Sequence, residues 1–344
     1  MEHKLSVFDS IGFAAKPTVS HGVARKITES HIAVFGSPYL VVDDVLPADL
    51  IEQINLNWPD PSQFDPETPG IEIAHIFRHD YPQYAPFWKS FNEDVFPWIC
   101  AGVCSALSPY LTVLFGENFY EDIEFGAPMS LMQANAEYVG HPLHTHFYHN
   151  PDWIFTILFY VDPDDTRSNG TNLHYLHGAD VGPGIPTNYP APASDWTIDT
   201  AMRTFEWVDG TVVDDPQEVP YTCNRLFTFL DGPLAFHSVT PPAEPWDAGQ
   251  SRRRILRCHM KVDTRRVFDR YKTLTDAKIS AKDFHRIMGP PLEQRATDPF
   301  LREGPVRDFF AERTNQYSDI IANPDAGEKL APEVLHRMIK KILP

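Results

Sequence analysis

Residues 140–161, GHPLHTHFYHNPDWIFTILFYV, place four histidines within nine positions immediately ahead of a continuous apolar run. The run Ile154–Val161 is β-branched and aromatic and lies between turn residues, so it reads as a buried strand. On extended chain, residues two apart point to the same side. His144 and His146 can therefore converge on one ion. Neutral imidazoles suit iron, zinc, copper or nickel. Without a metal, the same segment is a solvated polar loop.

Working outward, MSLMQANAEYV, WIFTILFYV, TNLHYL, TFEWV, NRLFTFL and RILRCHMKV are short β-prone runs separated by Pro, Gly and Asp turns. That spacing predicts a sandwich or barrel. Upstream, PYLVVDDVLPADLIEQINLNWP predicts a strand over Tyr39–Asp43, a turn, and a helix after Pro47 with Leu50, Ile51 and Ile54 on one face. Residues Trp88–Leu114 carry Val95, Ile99, Val103 and Leu107 at helical spacing, with Pro97 and Pro109 kinking or dividing the helix. Residues 1–34 show no period and are read as an N-terminal arm. Residues 35–262 form the β-rich domain and 263–344 a helical extension. In that extension, RRVFDRYKTL, AKDFHRIM, VRDFFAERTNQYSDII and PEVLHRMIKKIL are separated by Pro- and Gly-containing breaks. Its apolar stripes, Val306, Phe309 and Phe310 and then Leu335, Met338, Ile339 and Ile342, need a covering surface. They would cap the barrel, form a lid, or join a second copy as a homodimer.

A third ligand must come from a distant strand. In NRLFTFLDGPLAFHSVTPP a strong strand, Leu226–Leu230, precedes the Gly232-Pro233 turn and then His237 in a second apolar run. A lone histidine there is otherwise a core or turn residue. Downstream, RRRILRCHMKV alternates Arg254, Leu256, Cys258 and Met260 with Arg253, Ile255, Arg257 and His259. The first set is the more apolar and is expected to face the barrel interior, with Arg254 pointing inward near the mouth. An inward guanidinium suits a carboxylate, which its planar fork holds bidentately. As a surface cluster, the same arginines would pair with local Asp and Glu. Trp153 and Phe155 read as barrel packing.

Composition narrows the function classes. Lys+Arg 29 against Asp+Glu 47 gives a formal net charge of −18, and residues 1–262 hold 14 basic against 34 acidic side chains. So acidic a body repels phosphate backbones and anionic lipid, which disfavours nucleic acid and membrane as partners. Pro 32 and 12% aromatic residues argue against a helical bundle. The four cysteines, Cys100, Cys104, Cys223 and Cys258, lack disulfide-scaffold or zinc-ribbon spacing and read as reduced thiols of a cytoplasmic protein. Cys100 and Cys104, one helical turn apart, read as core thiols. No stretch is read as long and apolar enough to span a bilayer.

From about Phe35 to Val262 the chain resembles the Fe(II)/2-oxoglutarate-dependent oxygenases, in their prolyl-hydroxylase-like branch. The resemblance is carried by PYLVVDDVLP, Tyr138 and Gly140 before the first histidine, HTH…PDWIFTILFYV, GTNLHYL, NRLFTFLDGPLAFHSV and the arginine strand, in that order. It implies a mostly β protein with helices: a double-stranded β-helix, or jelly roll, with N-terminal supporting helices and a C-terminal helical extension. The metal would sit at its open end. By position, the resemblance implies His144 as first ligand, His237 as distal histidine, and Arg254 as the 2-oxoglutarate anchor, with Arg253 and Arg252 as register alternatives. Tyr138 would bond the cosubstrate, and Thr156 would line the pocket.

The chain also departs from that pattern. It contains no His-x-Asp or His-x-Glu, and His146 stands where the family carries its carboxylate. About three extra residues, Phe147–His149, precede Pro151-Asp152. Three explanations follow: a three-histidine iron site with one less negative charge, Asp152 folding back to supply the oxygen, or a degenerate site that only binds. The function expected is oxidation of a C–H bond in a small-molecule or amino-acid-like substrate. It would consume Fe(II)-activated O2 and 2-oxoglutarate, with His144, His146 and His237 as ligands. The rivals are a catalytically silent jelly-roll binding protein and a three-histidine metalloenzyme that does not use 2-oxoglutarate.

Overall fold

Two antiparallel sheets lie face to face, with helices covering the outer side of the larger one. The computed structural model describes residues 16–68, 70–74, 85–138, 140–146, 152–163, 170–177, 212–213, 216–240, 252–275, 280, 304–323 and 329–342. The larger sheet runs β1 (Ile32–Phe35), β2 (Ser37–Val42), β12 (Arg225–Leu230), β7 (Trp153–Tyr160), β14 (Arg252–Val262), β5 (Ile123–Ala134), β4 (Ile71–Ala74) and β3 (Asp65–Thr68). The smaller runs β11 (Gln217–Val219), β8 (Thr171–His174), β13 (Phe236–Val239) and β6 (His141–His144). A separate two-stranded pair joins β9 (Leu176–His177) to β10 (Val212–Val213). From β5 onward the chain crosses between the two main sheets repeatedly: β5 large, β6 small, β7 large, β8 and β11 small, β12 large, β13 small, β14 large. The expected strand TFEWV and helix AKDFHRIM lie outside the described residues, as do Phe147–His149.

The predicted helix after Pro47 is α2 (Ala48–Leu56), with Leu50, Ile51 and Ile54 buried as expected. The expected arm departs from its reading, because residues 16–29 form α1 (Lys16–Glu29). Its Val23, Ala24 and Ile27 are buried against the long central helix, where a side chain at Gly102 would meet Ile27 and Ala24. The Trp88–Leu114 stretch divides at Val95 into α3 (Ala85–Asp94) and α4 (Phe96–Phe115). Pro97 lies in the first turn of α4, where its missing N–H costs nothing. Pro109 lies inside the helix without ending it. The carbonyl it leaves without a backbone donor, Ser105 O, accepts from Ser108 Oγ at 2.7 Å instead.

One expectation fails here. Pro86–Phe115 is long and apolar enough to cross a membrane, and 89% of its most apolar window is buried inside the protein. A helix apolar on every side must be covered on every side. Here α1, the large sheet, and the C-terminal helices α5 (Thr264–Thr275), α6 (Gly304–Ala322) and α7 (Pro332–Ile342) surround it. Cys100 and Cys104 are accordingly free thiols in the core, as read.

The large sheet therefore has two apolar faces. Its outer face, with Ile157, Phe159, Leu226, Leu230, Leu256, Cys258 and Met260, packs on the helices. Its inner face, with Met132, Leu158, Phe227, Phe229 and Ile255, meets Leu173, Val219 and Val239 of the small sheet. Each such fully buried side chain is worth about 1.5–3 kcal/mol. The more apolar alternation in β14 was expected inward. It faces the helices instead, because the gap between the sheets is partly polar.

The C-terminal extension is seated on this body. Leu335 and Ile339 of α7 and Tyr317 of α6 join the helix-side core. Met338 is half-buried, and the side chains of Val306, Phe309, Phe310 and Ile342 lie outside the described residues. Tyr317 donates its hydroxyl to the carbonyl of Asp231, and its ring covers Gly232 so closely that a Cβ there would lie 2.1 Å from it. The ring of His336, on α7, stacks on Trp98 at 3.8 Å.

Two outcomes follow from this packing. Gly232→Ala should destabilise the protein by about 1–3 kcal/mol through overpacking, and much of that loss should vanish in a Tyr317→Ala background. A denaturant double-mutant cycle measures the coupling. Burial, then Lys340 and His21, hold His336 down at about 4. The unfolded chain takes that proton near pH 6.5, so the stability from the neutral ring is complete above that pH and is lost as pH falls toward 4. His336→Phe should flatten the decline of Tm between about pH 7 and pH 4.5. Parallel calorimetric profiles for variant and parent would refute it.

Candidate metal centre

The histidines meet because of register. β6 and β13 are antiparallel neighbours, and His144 is the direct cross-strand partner of His237. Such a pairing holds two side chains about 5 Å apart at their Cβ atoms, and the ring centroids here are 4.1 Å apart. β6 ends at His144, and Thr145 then turns the chain by donating its hydroxyl to Gly232 O at 2.7 Å. That anchor brings His146 to 5.1 Å from the His144 ring and 4.8 Å from the His237 ring. One ring nitrogen from each of His144, His146 and His237 lies within 4.8 Å of the other two.

His144 and His237 are buried and His146 is half-buried. Burial, followed by the nearby His146, pushes the His237 imidazole well below its usual range, against a smaller opposing effect from the Ala235 carbonyl. His237 is thus neutral at pH 7. Its Nδ1–H donates to Ala235 O at 3.1 Å, which leaves Nε2 with its lone pair. Burial likewise holds His141 and His259 in the neutral form.

These histidines line a cavity of about 80 Å³ together with Ile71, Met132, Tyr138, Leu158, Val239, Arg253 and Arg257. A single water needs roughly 10–15 Å³ on this measure, so the space admits a small ligand. The arginine expected inward, Arg254, is not there. It donates to Asn55 Oδ1 at 3.1 Å and lies 5.4 Å over the Trp58 ring. Arg253, one of the two register alternatives, is the buried guanidinium of the cavity, 3.4 Å from Thr171 Oγ1. The cause is the facing of the whole strand, whose more apolar set is taken by the helices; Arg253 itself adopts φ +54, and pairing with β5 slips between Arg252 and Ile255. The two-residue alternation itself holds: Arg253, Ile255, Arg257 and His259 share the inner face, and Arg254 lies with Leu256, Cys258 and Met260 on the helix side. The side chain of Arg252 lies outside the described residues.

Tyr138 and Thr156 both line the cavity. Asp152, the alternative oxygen donor, is buried at the start of β7 with its carboxylate 3.9 Å from Lys261 Nζ, and it does not join the histidines. Phe155 is core packing as read, whereas Trp153 stacks on His259 at 4.1 Å beside the cavity. The residue that sequence reasoning passed over is Asp231. It is fully buried and 2.8 Å from His146 Nδ1. Its signal in the sequence was a carboxylate closing an apolar strand six positions before a candidate ligand. His259 and Arg257 were missed because β14 was faced the wrong way.

Three converging imidazoles fit a divalent transition metal, and a buried guanidinium on the same cavity fits the carboxylate of a small acid. No protein-family model and no curated protein matches the chain. Solved structures similar to it include prolyl 4-hydroxylases and a 2OG-Fe(II) oxygenase. A Pseudomonas putida prolyl-4-hydroxylase is 12% identical over 71% of this chain and 99% of its own, at a TM-score of 0.36. A prolyl 4-hydroxylase from Phytophthora capsici is 13% identical over 99% of this chain and 96% of its own, at 0.39. The epimerase SnoN, in complex with Fe3+, alpha-ketoglutarate and nogalamycin RO, is 11% identical over 72% of this chain and 85% of its own, at 0.37. At these values the likeness carries no argument about this chain.

The two arginines separate in a binding measurement. Calorimetric titration of a small dicarboxylate into the Zn(II)-loaded protein should weaken about 10- to 100-fold in Arg253→Gln, the loss of a hydrogen bond to a charged group. Arg254→Gln should change it less than about threefold. The reverse order would restore Arg254 as the inward arginine.

Proposed function

We propose that this protein is an Fe(II)- and 2-oxoglutarate-dependent oxygenase that holds its metal through His144, His146 and His237. The observation that carries the reading is the convergence of three imidazoles and one buried guanidinium on a single cavity between two sheets. The alternation of strands between those sheets supports a double-stranded β-helix with the site at its centre. The substrate class we assign is a small molecule or amino-acid-like compound.

The division of labour follows from the residues. The chemistry that iron and 2-oxoglutarate supply when bound is oxidative: O2 is consumed, a substrate C–H becomes C–OH, and succinate and CO2 are released. Three neutral imidazoles hold the ion without offsetting its charge, so it stays more electrophilic than beside a ligating carboxylate. Arg253, with Thr171 next to it, binds the distal carboxylate of the cosubstrate. Tyr138 presents its phenol to the same cavity, and burial keeps that phenol protonated as a donor. Ile71, Met132, Leu158 and Val239 exclude water around the reacting atoms. No side chain is asked to act as an acid or base; placement is the protein's contribution.

The test is anaerobic addition of Fe(II) and 2-oxoglutarate, read by the visible metal-to-ligand charge-transfer band. The band should form in the parent and be lost in His144→Ala and His237→Ala. Iron uptake without the band would indicate a metalloenzyme that does not use 2-oxoglutarate. Absence of iron uptake would indicate a binding protein.

A further inference from the structure

We infer that Asp231 is a positioning residue of the metal centre: it fixes the tautomer of His146 and returns, one bond further out, the negative charge that a ligating carboxylate would have provided. This rests on the reading of the three histidines as ligands.

Asp231 follows β12 directly and is completely buried. A buried carboxylate needs donors, and two reach it. His146 Nδ1 is 2.8 Å from Oδ1, and Thr156 Oγ1 donates to Oδ2 at 2.7 Å. The Thr156 hydroxyl also lies 2.9 Å from His259 Nδ1. Because the hydroxyl has one proton and gives it to Asp231, His259 must donate its own Nδ1–H to the oxygen. The same logic applies to His146: a carboxylate only accepts, so the proton sits on His146 Nδ1 and the lone pair on Nε2. That nitrogen is the one left to meet an ion shared with His144 and His237.

The carboxylate cannot easily turn away. Its backbone N–H donates to Ile154 O at 3.1 Å, and its carbonyl accepts from Tyr317. The next residue, Gly232, accepts from Thr145, which lies between the two histidines. His146, Asp231 and His259 also satisfy metal spacing as a group. Thr156 bonded to both Asp231 and His259 explains that grouping without a second ion. Histidine ligands commonly donate their other nitrogen to such a carboxylate, and removing it typically lowers metal affinity 10- to 100-fold.

Two measurements test this. The first is 15N NMR of histidine-labelled, metal-free parent protein at about pH 8, which should show His146 as the Nδ1–H tautomer. An Nε2–H tautomer overturns the inference, and the result does not depend on any variant folding. The second is Co(II) titration, followed by its d–d absorption. Asp231→Asn should bind about 10- to 100-fold more weakly than the parent. Adding His146→Asp to that variant should recover most of the loss, because it puts a negative charge back beside the ion; a purely structural role for Asp231 gives no such recovery. Unchanged Co(II) affinity in Asp231→Asn, or no recovery in the double variant, overturns the role of Asp231 alone. A parent chain that takes up no Co(II) overturns the metal reading and this inference with it.

Discussion

The turn at Asp231-Gly232 ties together three parts of the chain that are far apart in sequence. Thr145 binds the Gly232 carbonyl, His146 approaches the Asp231 carboxylate, and Tyr317 of the C-terminal helices binds the Asp231 carbonyl. Each bond closes onto a fully buried carboxylate or the backbone beside it, where a missing partner would cost about 1–3 kcal/mol or more. The extension is thus packed against the turn to which Thr145 and His146 are also bonded.

A second constraint is the central helix. Because α4 is apolar all round, it has to be enclosed, and the large sheet supplies one wall of that enclosure. This decides the polarity of the sheet. Its most apolar alternation serves the helix, and the mixed alternation, with Arg253, Arg257 and His259, is left to line the gap that holds the histidines. A polar cavity next to an apolar platform is the consequence.

The cavity also shows how a three-histidine set fits an acidic protein. His237 has a backbone carbonyl as its outer partner and His146 a carboxylate. The surrounding hydrogen bonds orient the donors before any ion arrives. Preorganisation of this kind is what a flexible loop of histidines lacks.

The sequence by itself determined the strand runs, the helix after Pro47, the helical tail, and the candidate trio His144, His146 and His237. These rest on local periodicity and on the pairing of short segments, which residue type largely fixes. It did not determine which arginine points inward, which carboxylate serves the histidines, or what covers the tail. Alternation along β14 sorts its residues into two faces correctly, but it does not say which face is inward. Which face of a strand is interior depends on the layer packed against it, and the contacts of Asp231 with His146 and Tyr317 span 85 and 86 residues. Such choices are made by packing between distant segments, and only the tertiary structure could decide them.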